Sequence, residues 1–243
     1  MARKWPEDFI DKVICGDCLE VMKEIPDNCV DLVVTDPPYG INLPQKSKNY
    51  GEATYCSRKA TNLNWDKEFP NRNYWKEIFR VSKNQIVFGA NYGWENFYST
   101  SCYIIWDKRA DLPNVPFSPT EFAWTSFKRM PKKYTLINHG FISECEMTRT
   151  HPTEKPLGLI RAIVYDFTKG KPETLILDPF LGSGTTALAA KQLKRRFIGI
   201  EISPDYVKIA IDRLRQEVLS FDNVQKQDKA IPSNLLEQIQ KRT

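Results

Sequence analysis

At 243 residues the chain has the length of one large domain or two small ones, and enough material to bury a core. With 41% hydrophobic and 27% charged residues it reads as an ordinary soluble globular protein, which excludes a mainly disordered one. A formal net charge of +5 hints mildly at an anionic partner. No apolar run approaches the roughly 18 residues of a membrane span, and the first residues lack the apolar core of a signal peptide, so the expected location is cytoplasmic. The six cysteines fit that compartment as free thiols; Cys15 and Cys18 form a lone C-x-x-C with no second Cys/His pair at a usable distance, so it is not read as a zinc site.

The elements alternate. Val13-Ile14-Cys15 and Val30 to Val34 are short β-branched runs separated by an amphipathic stretch carrying Leu19, Val21, Met22 and Ile25. Tyr74, Trp75, Ile78 and Phe79 have helical spacing before the run Gln85 to Gly89, and Tyr103 to Trp106 makes another short strand. Pro156 opens a helix with Leu157, Ile160, Val164 and Phe167 on one face and Gly170 beyond its end. The strand Thr174 to Leu177, a glycine turn, a helix to about Leu193 and the strand Phe197 to Ile200 follow. Ser203-Pro204-Asp205 starts a last helix whose buried face is Val207, Ala210, Ile211 and Leu214. This predicts an α/β fold, Rossmann-like, with a mostly parallel sheet and helices on both faces. The single domain spans 1–220, with a catalytic half at about 11–145, a cofactor half at about 150–216 and a tail at 221–243. Two polar stretches, 41–72 and 106–133, interrupt the rhythm and are expected to be insertions for partner binding.

The segment from Leu175 through Asp178, Phe180, Gly182, Gly184 and Thr185 to Ala187 is a strand running into a glycine turn that opens a helix. Missing side chains let a ligand press on backbone N–H groups at a helix N-terminus. Glu201, at the end of the next strand, can accept ribose hydroxyls, so an adenosine-type ligand is expected. Gly182-x-Gly184-x-x-Ala187 also fits the dinucleotide fingerprint, which keeps a nicotinamide dehydrogenase open. Asp178 favours S-adenosylmethionine instead, because an ammonium needs an anion and a pyrophosphate would be repelled.

Val33-Val34-Thr35-Asp36-Pro37-Pro38-Tyr39-Gly40 ends an apolar strand in a rigid turn. Two prolines fix φ and remove two N–H donors, so the turn presents acceptors beside a flat aromatic face. An exocyclic amine on a planar ring matches such a site. Together with the downstream glycine motif, the stretch His151-Pro-Thr-Glu-Lys-Pro156 and the approach Cys15-Gly16-Asp17, this ordered set resembles the β-type amino-methylating DNA methyltransferases, which make N6-methyladenine or N4-methylcytosine.

The resemblance implies that the Asp36 side chain and the Pro37 carbonyl, held by Pro38, accept hydrogen bonds from the target amine while Tyr39 stacks on a flipped base. It places S-adenosyl-L-methionine over Phe180, Gly182, Gly184 and Thr185, with Asp178 at the ammonium, Glu201 at the ribose, Asp17 at the adenine amine, and Thr153 and Lys155 flanking the methionine end. An aspartate opening the tetrapeptide leans towards adenine in this family. The alternatives are a cytosine-N4 enzyme, a nucleic-acid-binding module without activity, and the dehydrogenase.

Double-stranded DNA is the expected partner, and a homodimer and a cognate restriction endonuclease are partners the resemblance allows. Each polar stretch carries six basic residues against three acidic ones. Lys46, Lys48, Arg58 and Lys59 in the first, and Lys108, Arg109, Lys128, Arg129, Lys132 and Lys133 in the second, are the candidates for DNA contact, interleaved with aromatics such as Trp65, Trp106 and Trp124. His139 and His151 read as structural hydrogen-bonding groups, and nothing in the sequence points to a metal ion.

Overall fold

The computed structural model describes residues 3–41, 66–108, 118–136, 138–139, 142–143 and 154–224. Lys46, Lys48, Arg58, Lys59, Arg109, His151 and Thr153 lie outside the described residues.

The β-branched runs form the centre of one eight-stranded sheet. Strands β1 (Lys12–Cys15), β2 (Leu32–Thr35), β3 (Gln85–Phe88), β4 (Tyr103–Asp107), β5 (Thr120–Thr125), β6 (Lys132–Thr135), β9 (Leu175–Asp178) and β10 (Arg196–Glu201) lie in the order β1-β10-β9-β2-β3-β5-β4-β6. The pairs from β1 to β3 are all parallel, β5 is antiparallel to both β3 and β4, and β6 is parallel to β4. β7 (Asn138–His139) and β8 (Ile142–Ser143) pair separately. The expected mostly parallel α/β sheet is therefore present, with one difference. The second polar stretch enters the sheet itself, because β5 inserts between β3 and β4.

Alternation along each strand splits the core in two. Leu32 and Val34 of β2, with Ile86 and Phe88 of β3, face α3 (Leu157–Thr168), α4 (Thr185–Gln192) and α5 (Pro204–Val224). Val33, Val87, Leu177 and Ile198 face α1 (Cys18–Lys23) and α2 (Arg72–Val81). A period of two along buried parallel strands requires apolar residues at every position, as β2, β3 and β9 have, apart from Thr35, Gln85 and Asp178. Asn71 caps α2 by accepting from the Asn73 N–H, and Asp17 caps α1 by accepting from the Leu19 N–H. Gly170, at φ +77, follows the end of α3 as its sequence position predicts.

Strand β2 leads out to β3 on one side, while β9 leads out to β10 on the other. The chain direction thus diverges between β2 and β9, and a crevice opens beyond their carboxyl ends. Thr35 and Asp178 are the last residues of those two strands.

Ile176, fully buried at the middle of β9, belongs to the layer under α3 and α4. Ile176→Ala should cost about 2–5 kcal/mol, read as a lowered urea midpoint with an unchanged m-value; a change under about 0.5 kcal/mol would contradict this packing.

Candidate active site

Strand β2 delivers Asp36 to the crevice, and the residues after it are pinned from outside. The buried Asp66 carboxylate accepts the backbone N–H groups of Tyr39, at 2.7 Å, and Gly40, at 2.9 Å. No hydrogen bond engages the Pro37 carbonyl among the described residues, so this acceptor is available to a ligand. The Tyr39 ring stacks on Tyr92, with centroids 4.8 Å apart and planes 17° from parallel. Gly89, at φ +65, lets the backbone after β3 pass against that ring; any Cβ there would overlap it.

A row of alternating charges ends on Asp36. Its Oδ1 accepts from the Tyr39 hydroxyl at 2.5 Å and its Oδ2 accepts from Lys155 Nζ at 2.6 Å. Lys155 has only 7% of its side chain exposed and also lies 3.2 Å from Oε2 of Glu121 on β5, whose Oε1 pairs with Lys108. Burial pushes the Asp36 carboxyl up, against the pull of Lys155, and the charge of Glu121 adds to the rise. Burial opposes the Lys155 ammonium, yet Asp36 and Glu121 together hold its pKa above the ordinary value. Burial also disfavours the Glu121 charge, but Lys155 and Lys108 outweigh it and keep that carboxyl low. Tyr39 is pushed well up by burial and by the Asp36 charge, so its hydroxyl keeps its proton and donates.

The glycine loop forms the other wall of the same cleft, which is lined by Asp36, Lys155, Asp178, Phe180, Gly182 and Thr185 among others. Gly182 and Gly184 adopt φ +55 and +91. Beside Gly182 a Cβ would meet nothing, so open space adjoins the backbone there, whereas at Gly184 it would press on Ala210 of α5. Asp178 Oδ1 accepts from the Thr35 hydroxyl at 2.7 Å and the Phe180 N–H at 3.1 Å. Burial still dominates, and its carboxyl is pushed up to about 6. Behind the loop, the buried Arg213 pairs with Glu154 at 2.6 Å and donates to the Ser183 carbonyl and hydroxyl. Glu154 also accepts from the Thr185 hydroxyl, which ties the segment bearing Lys155 to the loop.

Asp36, Asp178, Phe180, Gly182, Thr185 and Lys155 therefore meet in one cleft. Glu201 stands at its rim, accepting from the Gly182 and Ser203 N–H groups at 2.8 Å each. Asp17 sits nearby at the end of β1, where it caps α1 and receives the Tyr74 hydroxyl at 3.4 Å; Tyr74 in turn leans on Phe180, centroids 6.1 Å apart. Lys155, expected at the methionine end, lines the cleft beside the glycine loop and hydrogen-bonds Asp36 across it. Residues that the motifs did not single out include Asp66, Tyr92, Glu121 and Arg213. None could have been found by local pattern, since each acts on a site segment through a contact distant in sequence.

The basic candidates are scattered. Lys108 follows β4 at the end nearer Asp36 and pairs with Glu121. Lys128 and Arg129 follow β5 at its other end, Arg129 lying 3.8 Å over the Phe167 ring. Lys132 pairs with Asp166 and Lys133 with Asp107.

Such a crevice, with a glycine turn entering a helix and a carboxylate ending the next strand, is where an α/β fold of this kind could hold an adenosine-containing ligand. A family profile described as DNA methylase matches residues 105–212. The type II methyltransferase M.HpaI of Haemophilus parainfluenzae is 26% identical over 92% of this chain and 80% of its own length. M.HinfI of Haemophilus influenzae is 27% identical over 89% and 71%. Among solved structures, the M1.HpyAVI–SAM complex superposes with a TM-score of 0.53 at 25% identity, covering 84% of this chain and 98% of that one. The cytosine-N4-specific PvuII DNA methyltransferase shares the fold, with a TM-score of 0.55 at 18% identity over 83% and 85%. The chain is therefore similar to DNA methylases of the N6/N4 type, and the M1.HpyAVI neighbour was solved in complex with SAM. The open cradle at Gly182 and the buried, anionic Asp178 fit a ligand with a backbone-hugging chain and an ammonium.

Asp178 has a measurable consequence for stability. Its folded pKa, about 6, lies above the ordinary 3.8, so between about pH 4 and 6 the folded state binds more protons than the unfolded one. Stability from this group therefore falls as pH rises through that window. Asp178→Asn should flatten the dependence of the denaturant midpoint on pH there; an unchanged slope would contradict the assignment.

Proposed function

We propose that the protein transfers a methyl group from S-adenosylmethionine to the N6 amine of an adenine flipped out of double-stranded DNA. The observation that carries this reading is the shared cleft: Asp36 and the cradle at Gly182 line the same walls. Each Asp36 oxygen already accepts one bond but has a second lone pair, and the Pro37 carbonyl has no partner among the described residues. An amine that donates both its N–H groups to these acceptors has its lone pair localised on nitrogen, and the carboxylate stabilises the positive charge that grows there. The bound donor supplies an electrophilic methyl carbon.

The remaining residues hold and orient. Asp178 offers its carboxylate to the ammonium, Glu201 the lone pairs it has left to the ribose hydroxyls, and Tyr74 with Phe180 forms an aromatic edge beside the adenosine. Alignment of donor and acceptor then lowers the barrier without a covalent enzyme intermediate. Asp36 as the first residue of the tetrapeptide supports adenine over cytosine. Lys108, at the Asp36 end of the sheet, is the described basic residue assigned to a DNA phosphate, and the basic residues within 42–65, outside the described residues, suit the same role by charge alone; a homodimer and a companion endonuclease belong to the same reading.

Incubation with labelled S-adenosylmethionine and DNA, followed by digestion to nucleosides, should place the label in N6-methyladenine; label in N4-methylcytosine would replace the adenine reading. Asp36→Ala should lower transfer by about 10²-fold or more while cofactor affinity stays within a few-fold. Equal loss of both would show that Asp36 does not serve the target amine.

For the nucleic acid, Lys108→Glu should weaken binding and lower the slope of log K against log salt by about one unit. The same reversal at Lys128, beyond the far end of β5, should leave the slope unchanged. Matching slopes for the two variants would remove Lys108 from the interface.

A further inference from the structure

One largely buried lysine serving two partly buried carboxylates is an arrangement the methyl-transfer reading does not use. Lys155 Nζ lies 2.6 Å from Asp36 Oδ2, 3.3 Å from the Tyr39 hydroxyl and 3.2 Å from Glu121 Oε2. Those are three neighbours for three N–H bonds. The ammonium is further confined by Phe88, whose ring centroid is 5.2 Å away. Glu121 Oε2 is buried with no aligned donor among the described residues, so the nearby ammonium is what compensates its charge. Its Oε1 is taken by Lys108. The result is a row, Lys108, Glu121, Lys155, Asp36, in which the charges alternate and cancel pairwise.

We propose that Glu121 is a positioning residue for methyl transfer: by sharing the Lys155 ammonium it weakens the Lys155–Asp36 pair, so that the target amine can compete for the Asp36 oxygens. This inference rests on the proposed reaction at the same cleft. A lysine bound to Asp36 alone would compete with the amine for the same oxygens. With Glu121 on its other side the ammonium is divided, and Lys108 in turn limits how much of it Glu121 can draw. Glu121 thus acts on Asp36 through Lys155 and does not touch the reacting atoms.

The groups facing Asp36 define the expected signs. They are Lys155 from the segment before α3, Tyr39 in the same turn, Glu121 from β5 and Asp178 from β9. Removing the negative charge of Glu121 gives Asp36 the whole ammonium and relieves like-charge repulsion, so Asp36 titrates at lower pH. Removing Lys108 frees Glu121 to draw Lys155 away, so Asp36 titrates at higher pH. The opposite shifts report the signs of the two charges removed; a fall in kcat with unchanged affinity for the donor is the readout that a merely structural role would not give.

The test follows the titration of Asp36 by carboxyl ¹³C NMR in the free protein, alongside the acid limb of kcat on DNA. Glu121→Gln should move both to lower pH and lower kcat about tenfold, with the dissociation constant for S-adenosylmethionine unchanged. Lys108→Met should move both to higher pH, and it serves alone if Glu121→Gln does not fold. Shifts in the same direction, an unmoved Asp36 titration in either variant, or a wild-type kcat in Glu121→Gln would overturn the proposal. A wild-type protein that methylates no DNA but shows the opposed NMR shifts would overturn the proposed function and leave the charge row standing.

Discussion

Thr35 and Asp178 stand 143 positions apart in the chain, end neighbouring parallel strands, and share a 2.7 Å hydrogen bond in the buried floor of the crevice. The placement of both site segments depends on that junction. Beyond Thr35 the chain must turn through Asp36 and two prolines; beyond Asp178 it must turn through the glycine loop. With the two exits locked side by side, Asp36 of one turn and Gly182 of the other line one cleft. Burying a carboxylate there is costly, as the rise of Asp178 to about 6 indicates. Three hydrogen-bonding neighbours, Thr35, Thr186 and the Phe180 N–H, offset only part of that cost. The floor of this crevice holds a buried carboxylate at the expense of stability at neutral pH.

The parallel half of the sheet was legible because its strands are buried on both faces and read as continuous apolar runs. The helices around it followed from spacing and caps. Strand β5 was not legible for a physical reason: its pattern is inverted at one end, with Glu121 turned into the charge row and Phe122 46% exposed. Local rules fail where a functional centre overrides them. The site was legible in a similar proportion. Asp36, Asp178 and Gly182 announce themselves through unusual residue types at strand ends. Asp66 and Arg213 do not, since a lone aspartate or arginine in a polar context carries no information about which distant backbone it will hold.

Lys155 illustrates what motif reading and geometry each contribute. Its place in the sequence ties it to the cofactor half, and the Arg213–Glu154 pair with the Thr185 bond anchors its neighbour to the glycine loop. Its ammonium nevertheless reaches the catalytic turn. One residue therefore connects the two halves of the cleft: its backbone position is set by the cofactor wall and its charge is spent on the acceptor wall. The buried ionic cluster is weak evidence for stability, since desolvation of so many charges offsets most of their attraction. Its retention is better understood as the means of dividing one ammonium between two carboxylates beside the cleft.

The proposed transfer requires the donor's reactive carbon to face the Asp36 turn. A crystal structure with sinefungin, which carries an amine where the donor carries its sulfonium methyl, tests this directly. The amine should point at the Asp36 carboxylate and Pro37 carbonyl, with the methionine chain along Gly182 and the ribose at Glu201. An analogue bound with its amine directed away from Asp36, or with its adenine ring in the Tyr39 pocket, would contradict the account.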